Sequence, residues 1–210
     1  MSLRVAVLVS GEGSNLQAIL GSVHGRDGIE VVAVASNRPD ARGLERARAA
    51  GVDTATFEAG EHPDRAARDG AMAHWLEERG VELVVLAGFM ELLTPGFVRS
   101  FAGRILNVHP SLLPAFPGLH ALQQAIDYGA RVAGVTVHFV DEGVDTGPVV
   151  LQESFSLPYA AGIAEVEHTA HALEHELLPR AVRLFAEGAL TPDPDNPRRV
   201  LVREGADVGH

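Results

Sequence analysis

The sequence contains no cysteine. Disulfides, thiolate nucleophiles and cysteine-ligated zinc or iron–sulfur centres are therefore excluded. It contains no lysine either, since all 17 basic residues are arginines. Schiff-base lysines, a pyridoxal phosphate anchor and the lysine of a phosphate-binding P-loop are excluded with it. No apolar run is long enough to span a bilayer, and the stretch Val5 to Val9 near the N-terminus is too short for a signal-peptide core with its cleavage region. The expectation is a cytoplasmic protein with no membrane partner. A formal charge of −11 without any arginine-rich run argues against a nucleic-acid partner, because phosphate binding depends on clustered cations.

What is present is enough apolar residue for a substantial core: 46% of 210 residues, which favours one domain over two. Apolar, β-branched runs recur at 3–9, 30–35, 81–87, 104–108, 132–140 and 149–155. Helical patterns separate the early ones, at 16–20, 44–50 and 66–79. This alternation predicts a single-domain α/β fold of Rossmann-like type, with a mostly parallel sheet, a mixed edge and helices on both faces. A long helical pattern at 163–186 contains Pro179, which is expected to kink or split it. After Gly188, the prolines of Pro192-Asp193-Pro194-Asp195-Asn196-Pro197 are expected to interrupt regular structure. Residues 1–190 are then expected to form the domain and 191–210 a tail, with a short strand at 200–203.

Ser10-Gly11-Glu12-Gly13-Ser14-Asn15 lies between the first strand and the first helix. Backbone N–H groups at a helix N-terminus can hold a phosphate there. A dinucleotide fingerprint needs a third glycine near position 16, which is Leu16, and an acidic residue after the second strand, where the chain reads Ser36-Asn37-Arg38. A phosphate monoester suits the turn better than a nicotinamide cofactor. The competing reading is a plain strand-to-helix connection.

Asn107-Val108-His109-Pro110-Ser111-Leu112-Leu113-Pro114, followed by Asp145, carries the chemistry. An amide can aim a donor at a carbonyl oxygen, an imidazole carries protons near neutral pH, and a carboxylate orients the imidazole. Together they suit transfer of an acyl group to an amine. Asn107 and His109 alternate at a strand end, so both side chains leave on the same face. Read alone, an Asn-x-His at that place is more often a capping or turn-forming pair.

Over residues 3 to 190 the chain closely resembles the folate-dependent phosphoribosylglycinamide formyltransferase family. The matching segments run in order: 10–19, 43–48, 84–90, 107–114, 116–120 and 134–140, leading into Asp145. The resemblance implies a formyltransferase fold and transfer of formyl from 10-formyltetrahydrofolate, a cosubstrate, to the amine of 5-phosphoribosylglycinamide, with no metal. It implies that Asn107 bonds the formyl oxygen, His109 moves the proton, and Asp145 pairs with the imidazole. Gly13, Ser14 and Asn15 would hold the substrate phosphate, with Glu174 and, more weakly, His171 on the rest of that substrate. Met90, Glu91, Leu92 and Leu93 would line the folate pocket with Asn107, and Arg65 would meet the folate's carboxylate tail. Many members have a basic residue where this chain has Glu91, so backbone contacts carry over there and a cationic side chain does not. A homodimer stays open.

Other readings compete. His168, His171 and His175 invite a metal site, but His-Glu-x-x-His is absent and a solvated helical face fits better. His138 reads as a structural histidine rather than a fourth catalytic member, and Arg42, Arg46 and Arg48 as a solvated face beside Glu45. Functional alternatives are methionyl-tRNA formyltransferase, a sugar-nucleotide formyltransferase, a formyltetrahydrofolate hydrolase, or a non-catalytic nucleotide-binding module.

Overall fold

The computed structural model describes residues 2–160 and 162–203. The chain divides into two compact units, residues 1–107 and 108–210.

In the first unit, strands β1 (Leu3–Val9), β2 (Ile29–Ser36), β3 (Asp53–Thr56), β4 (Leu83–Leu86) and the start of β5 (Ile105–His109) lie in the order β3-β2-β1-β4-β5, all parallel. Helices α1 (Ser14–Ser22), α2 (Arg42–Ala49), α3 (Arg65–Glu78) and α4 (Pro95–Ser100) alternate with them, α3 following a short 3-10 turn at Ala59–Glu61. Val5 through Val9 and Leu83 through Val85 are fully buried, as expected for parallel strands covered on both faces. Strand order reverses at β1, which pairs with β2 on one side and β4 on the other. In open α/β sheets the crevice at the carboxyl ends of such strands is where ligands bind, so the segments after β1, β2 and β4 are placed for function.

The second unit begins inside β5 and continues through α5 (Ala121–Tyr128), β6 (Val132–Phe139), β7 (Val149–Ser156), α6 (Ile163–Ala186), β8 (Leu190–Asp193) and β9 (Asn196–Val202). β6 and β7 are antiparallel, β7 and β9 parallel, and β8 and β9 antiparallel, which gives the expected mixed edge in the order β6-β7-β9-β8. α6 packs on β6, β7 and α5 and buries Val166, Ala170, Leu177, Leu178, Ala181 and Val182. The helix is assigned as a single span across Pro179.

The tail departs from expectation. The segment predicted to lack regular structure forms a hairpin, with Thr191 opposite Leu201 and Pro192 opposite Val200. β8 is the last strand in its order, and a proline is tolerated on an edge strand because its missing N–H faces no neighbour. Arg199 reaches Asp193 across the hairpin, with Nε 2.6 Å from Oδ2. The expected strand at 200–203 coincides with the end of β9 at Val202, with Arg203 beyond it, and residues 204–210 lie outside the described residues.

Candidate active site

In the second unit a carboxylate stands between two imidazoles. Asp145 Oδ2 lies 3.4 Å from His109 Nδ1, and Asp145 Oδ1 lies 3.5 Å from His138 Nε2. These are ion-pair distances, longer than a tight N–H···O bond. Gly118 N donates to Asp145 Oδ2 at 2.7 Å. The second nitrogen of each ring also faces an oxygen: His109 Nε2 is 2.9 Å from Phe116 O, and His138 Nδ1 is 2.8 Å from Phe139 O. A carbonyl oxygen only accepts, so each of these contacts is a hydrogen bond when the ring nitrogen facing it bears the proton. His109 and His138 are both buried, and Asp145 nearly so.

Burial pushes the Asp145 carboxyl up, but the His138 hydrogen bond, the Gly118 N–H and the charge of the two histidines outweigh it. The net result holds the carboxyl below the usual aspartate range. It is therefore an anion at neutral pH, and it can balance positive charge on an imidazole as a proton arrives.

Local sequence explains the placement. On β5, Asn107 and His109 occupy alternate positions and leave the strand on one side. The loop after His109 is tied to its own unit: Thr136 Oγ1 donates to Ser111 O at 2.6 Å and accepts from Leu113 N at 3.2 Å. Gln152 Nε2 donates to both Leu113 O and Thr136 Oγ1. Phe116, whose carbonyl faces His109, has φ 50°, and Asp145 has φ 52°. Non-glycine residues seldom adopt this left-handed region, and such strain gathers at functional sites. Farther along, Glu174 is buried on α6, while His171 is exposed with its ring stacked on His175 at 6.4 Å.

In the first unit the glycine turn follows β1. Gly13 has φ 72° and caps α1 without a side-chain hydrogen bond of its own. A Cβ at Gly13 would stand 2.6 Å from Gly43 Cα, so the turn needs glycine for conformation and for space. Ser14 opens the helix, and Asn15 is buried. Arg42 and Arg46, expected as a solvated face, both reach Glu12 of the turn, Arg46 Nη2 standing 2.6 Å from Glu12 Oε1.

The loop after β4 presents two large apolar side chains to solvent, Met90 at 66% and Leu92 at 57% exposure. Exposed apolar groups on a loop at a strand's carboxyl end suit a flat, apolar ligand. Leu93 is half-buried, and Arg65 is exposed in the first turn of α3. Glu91 points away from a ligand-facing role: its carboxylate accepts from Asn37 Nδ2 at 2.7 Å and from Arg68 Nη1.

The chain matches the formyl transferase family over residues 3–182. The chain belongs to that family. It is 45% identical over 191 residues to phosphoribosylglycinamide formyltransferase of Escherichia coli strain K12, covering 90% of this chain and 89% of that protein. It is 43% identical over 190 residues to the trifunctional purine biosynthetic protein adenosine-3 of Drosophila pseudoobscura pseudoobscura, covering 89% of this chain but 14% of that much longer relative. Among solved structures it resembles glycinamide ribonucleotide transformylase 1 from Symbiobacterium toebii, with a TM-score of 0.92, 47% identity and coverage of 97% of this chain and 95% of that one. The α/β, Rossmann-like formyltransferase fold expected from the sequence is thereby established.

Two groups of site residues escaped sequence reasoning. His138, read as structural, faces Asp145 from the side opposite His109. Its alternation with Thr136 and Val140 shows which face it shares but not that a carboxylate from a loop arrives there. Arg68 is 2% exposed on α3 beside the fully buried Asp69. The only signal was an Arg-Asp dipeptide among apolar helix positions, which a surface helix shares.

Proposed function

We propose that this enzyme transfers the formyl group of 10-formyltetrahydrofolate to the amino group of 5-phosphoribosylglycinamide, a step of purine biosynthesis. The observation that carries the reading is the largely buried Asp145 carboxylate 3.4 Å from His109 Nδ1. Asn107 stands two residues before that histidine on the same strand.

The neutral amine of the acceptor attacks the formyl carbon, a C–N bond forms, and the carbonyl electron pair moves to oxygen. Asn107 donates a hydrogen bond to that oxyanion. The amine nitrogen loses a proton as the adduct matures, and the departing folate nitrogen gains one as its C–N bond breaks. His109 carries this traffic, and Asp145 keeps the ring oriented and compensates its charge. Protons and electrons balance without a metal.

Gly13, Ser14 and Asn15 hold the acceptor's phosphate at the start of α1, where the helix dipole favours an anion. Glu174 bonds the remainder of the acceptor, and His171 adds a weaker contact. Met90, Leu92 and Leu93 hold the donor's ring system with the backbone of Glu91, and Arg65 meets its carboxylate tail. Residues 1–190 carry the activity. The reading places the enzyme in the cytoplasm, with small-molecule partners and no nucleic acid or membrane, and it allows a homodimer. Among the described residues no helix is long and apolar enough to cross a membrane.

The test is incubation of the purified protein with donor alone and with donor plus acceptor. Formylated acceptor in stoichiometric yield supports the reading. Loss of formyl from donor alone, at a rate that the acceptor does not change, would show a hydrolase instead.

A further inference from the structure

Glu91 belongs to a closed circuit of hydrogen bonds that starts and ends on the loop after β4. Met90 N donates to Ser10 Oγ at 2.8 Å, and Ser10 Oγ donates to Asn37 Oδ1 at 2.7 Å. Asn37 Nδ2 donates to Glu91 Oε1 at 2.7 Å, and Arg68 Nη1 donates to Glu91 Oε2. Arg68 Nη2 donates to Asp69 Oδ1 at 2.9 Å, and Asp69 Oδ2 accepts from Thr94 N at 2.7 Å. The loop is thus held at Met90, Glu91 and Thr94 by groups from the segments after β1 and β2 and from α3. All of these groups lie within the first unit.

Burial makes the circuit expensive to open. Ser10 is 5% exposed, Arg68 2%, and Asp69 0%. The three charges are Arg68, Asp69 and Glu91, so the cluster carries one net negative charge. Arg65 lies close enough to add its field to the forces that keep the Glu91 carboxyl ionised, although burial opposes them. Hydrogen bonds to buried charged groups are the strong ones, and breaking one leaves its partner uncompensated. The apolar pair Met90 and Leu92, 66% and 57% exposed, sits on the stretch so restrained. Without restraint two such side chains would fold down onto apolar surface.

We propose that Glu91, Arg68 and Asn37 are positioning residues that hold the 90–94 loop open in the shape that receives the formyl donor, and that they set donor affinity without touching the donor's reacting carbon. The inference rests on the assignment of this loop to the donor. The carboxylate at position 91 is therefore a structural tether and not a repulsive charge against an anionic donor tail. The two roles predict opposite signs. Neutralising a repulsive carboxylate would tighten donor binding, and cutting a tether weakens it.

The experiment measures kcat and both KM values for Glu91→Leu, Glu91→Gln, Asn37→Ala and the double variant Asn37→Ala with Glu91→Leu. Arg68 keeps Asp69 as its partner in all four, so none strands a buried charge. Glu91→Leu is expected to raise donor KM about tenfold, a step of about 1.4 kcal/mol. Its kcat and acceptor KM should change by less than about threefold, and Glu91→Gln, which still accepts hydrogen bonds, should fall between it and the parent. The double variant should be no worse than about the larger single one, because both cut the same circuit. Donor KM unchanged or lowered in Glu91→Leu overturns the proposal, as does a fall in kcat with both KM values unchanged. Absence of formyl transfer in the parent would instead defeat the functional reading, and equilibrium binding of 10-formyltetrahydrofolate to the same variants would then decide the tether alone.

Discussion

His138 Nε2 stands 3.5 Å from Asp145 Oδ1, the oxygen opposite the one that faces His109. The carboxylate is thus held from two sides, and a backbone N–H from Gly118 fixes it on a third. Its orientation toward His109 depends on all three.

His138→Ala should therefore lower kcat by about tenfold, less than the roughly 100-fold or more that a proton carrier itself contributes, because His138 acts only through Asp145. Both KM values should stay within about twofold, since His138 meets neither substrate in the proposed reading. Steady-state kinetics with each substrate varied in turn checks this. An unchanged kcat would assign His138 to packing alone.

The depressed Asp145 carboxyl also fixes a pH trend in stability. A group whose folded pKa lies below its unfolded value stabilises the fold above the unfolded value, near pH 4 for aspartate, and loses that contribution as pH falls through the folded value. Acid should thus remove a part of the stability that Asp145→Asn never had. Urea unfolding at neutral pH and again below pH 4 should show the gap between parent and variant narrowing with acid. A gap that widens would contradict the shift.

Gly13→Ala should destabilise the protein by about 1–3 kcal/mol, the range for a residue forced into a sparsely populated backbone region. Here φ is 72° and the new methyl would stand 2.6 Å from Gly43 Cα. Because the turn must move to admit the methyl, acceptor KM should rise while donor KM changes little. Thermal unfolding and kinetics together separate the two effects, and an unperturbed melting temperature would mean that the turn tolerates a side chain.

Much of this was legible in the chain itself. Val5–Val9 and the run ending in Leu86 are continuous apolar stretches, and they are the buried central strands β1 and β4. Asn107 and His109 could be placed on one strand face from spacing alone, and the glycine turn from its position between strand and helix. The tail hairpin was hidden because Pro192 reads as a breaker, and only the position of β8 at the end of its strand order makes it acceptable. β3 escaped because Asp53–Thr56 is four residues long, with no buried position to mark it. The helix α4, of six residues, is too short for periodicity to show. The burial of Arg68 was invisible for a different reason: a charged side chain leaves water only where partners meet it, and Glu91, which pairs with it and is itself held by Asn37, comes from another segment.

The central claim is that His109 and Asp145 act as one proton-carrying unit. Formyl transfer from 10-formyltetrahydrofolate to 5-phosphoribosylglycinamide by Asp145→Ala, His109→Ala and Asn107→Ala, against the parent, tests it most directly. The account predicts a loss of kcat of about 100-fold or more in each, with folding confirmed by circular dichroism. Near-parental turnover in Asp145→Ala would contradict it.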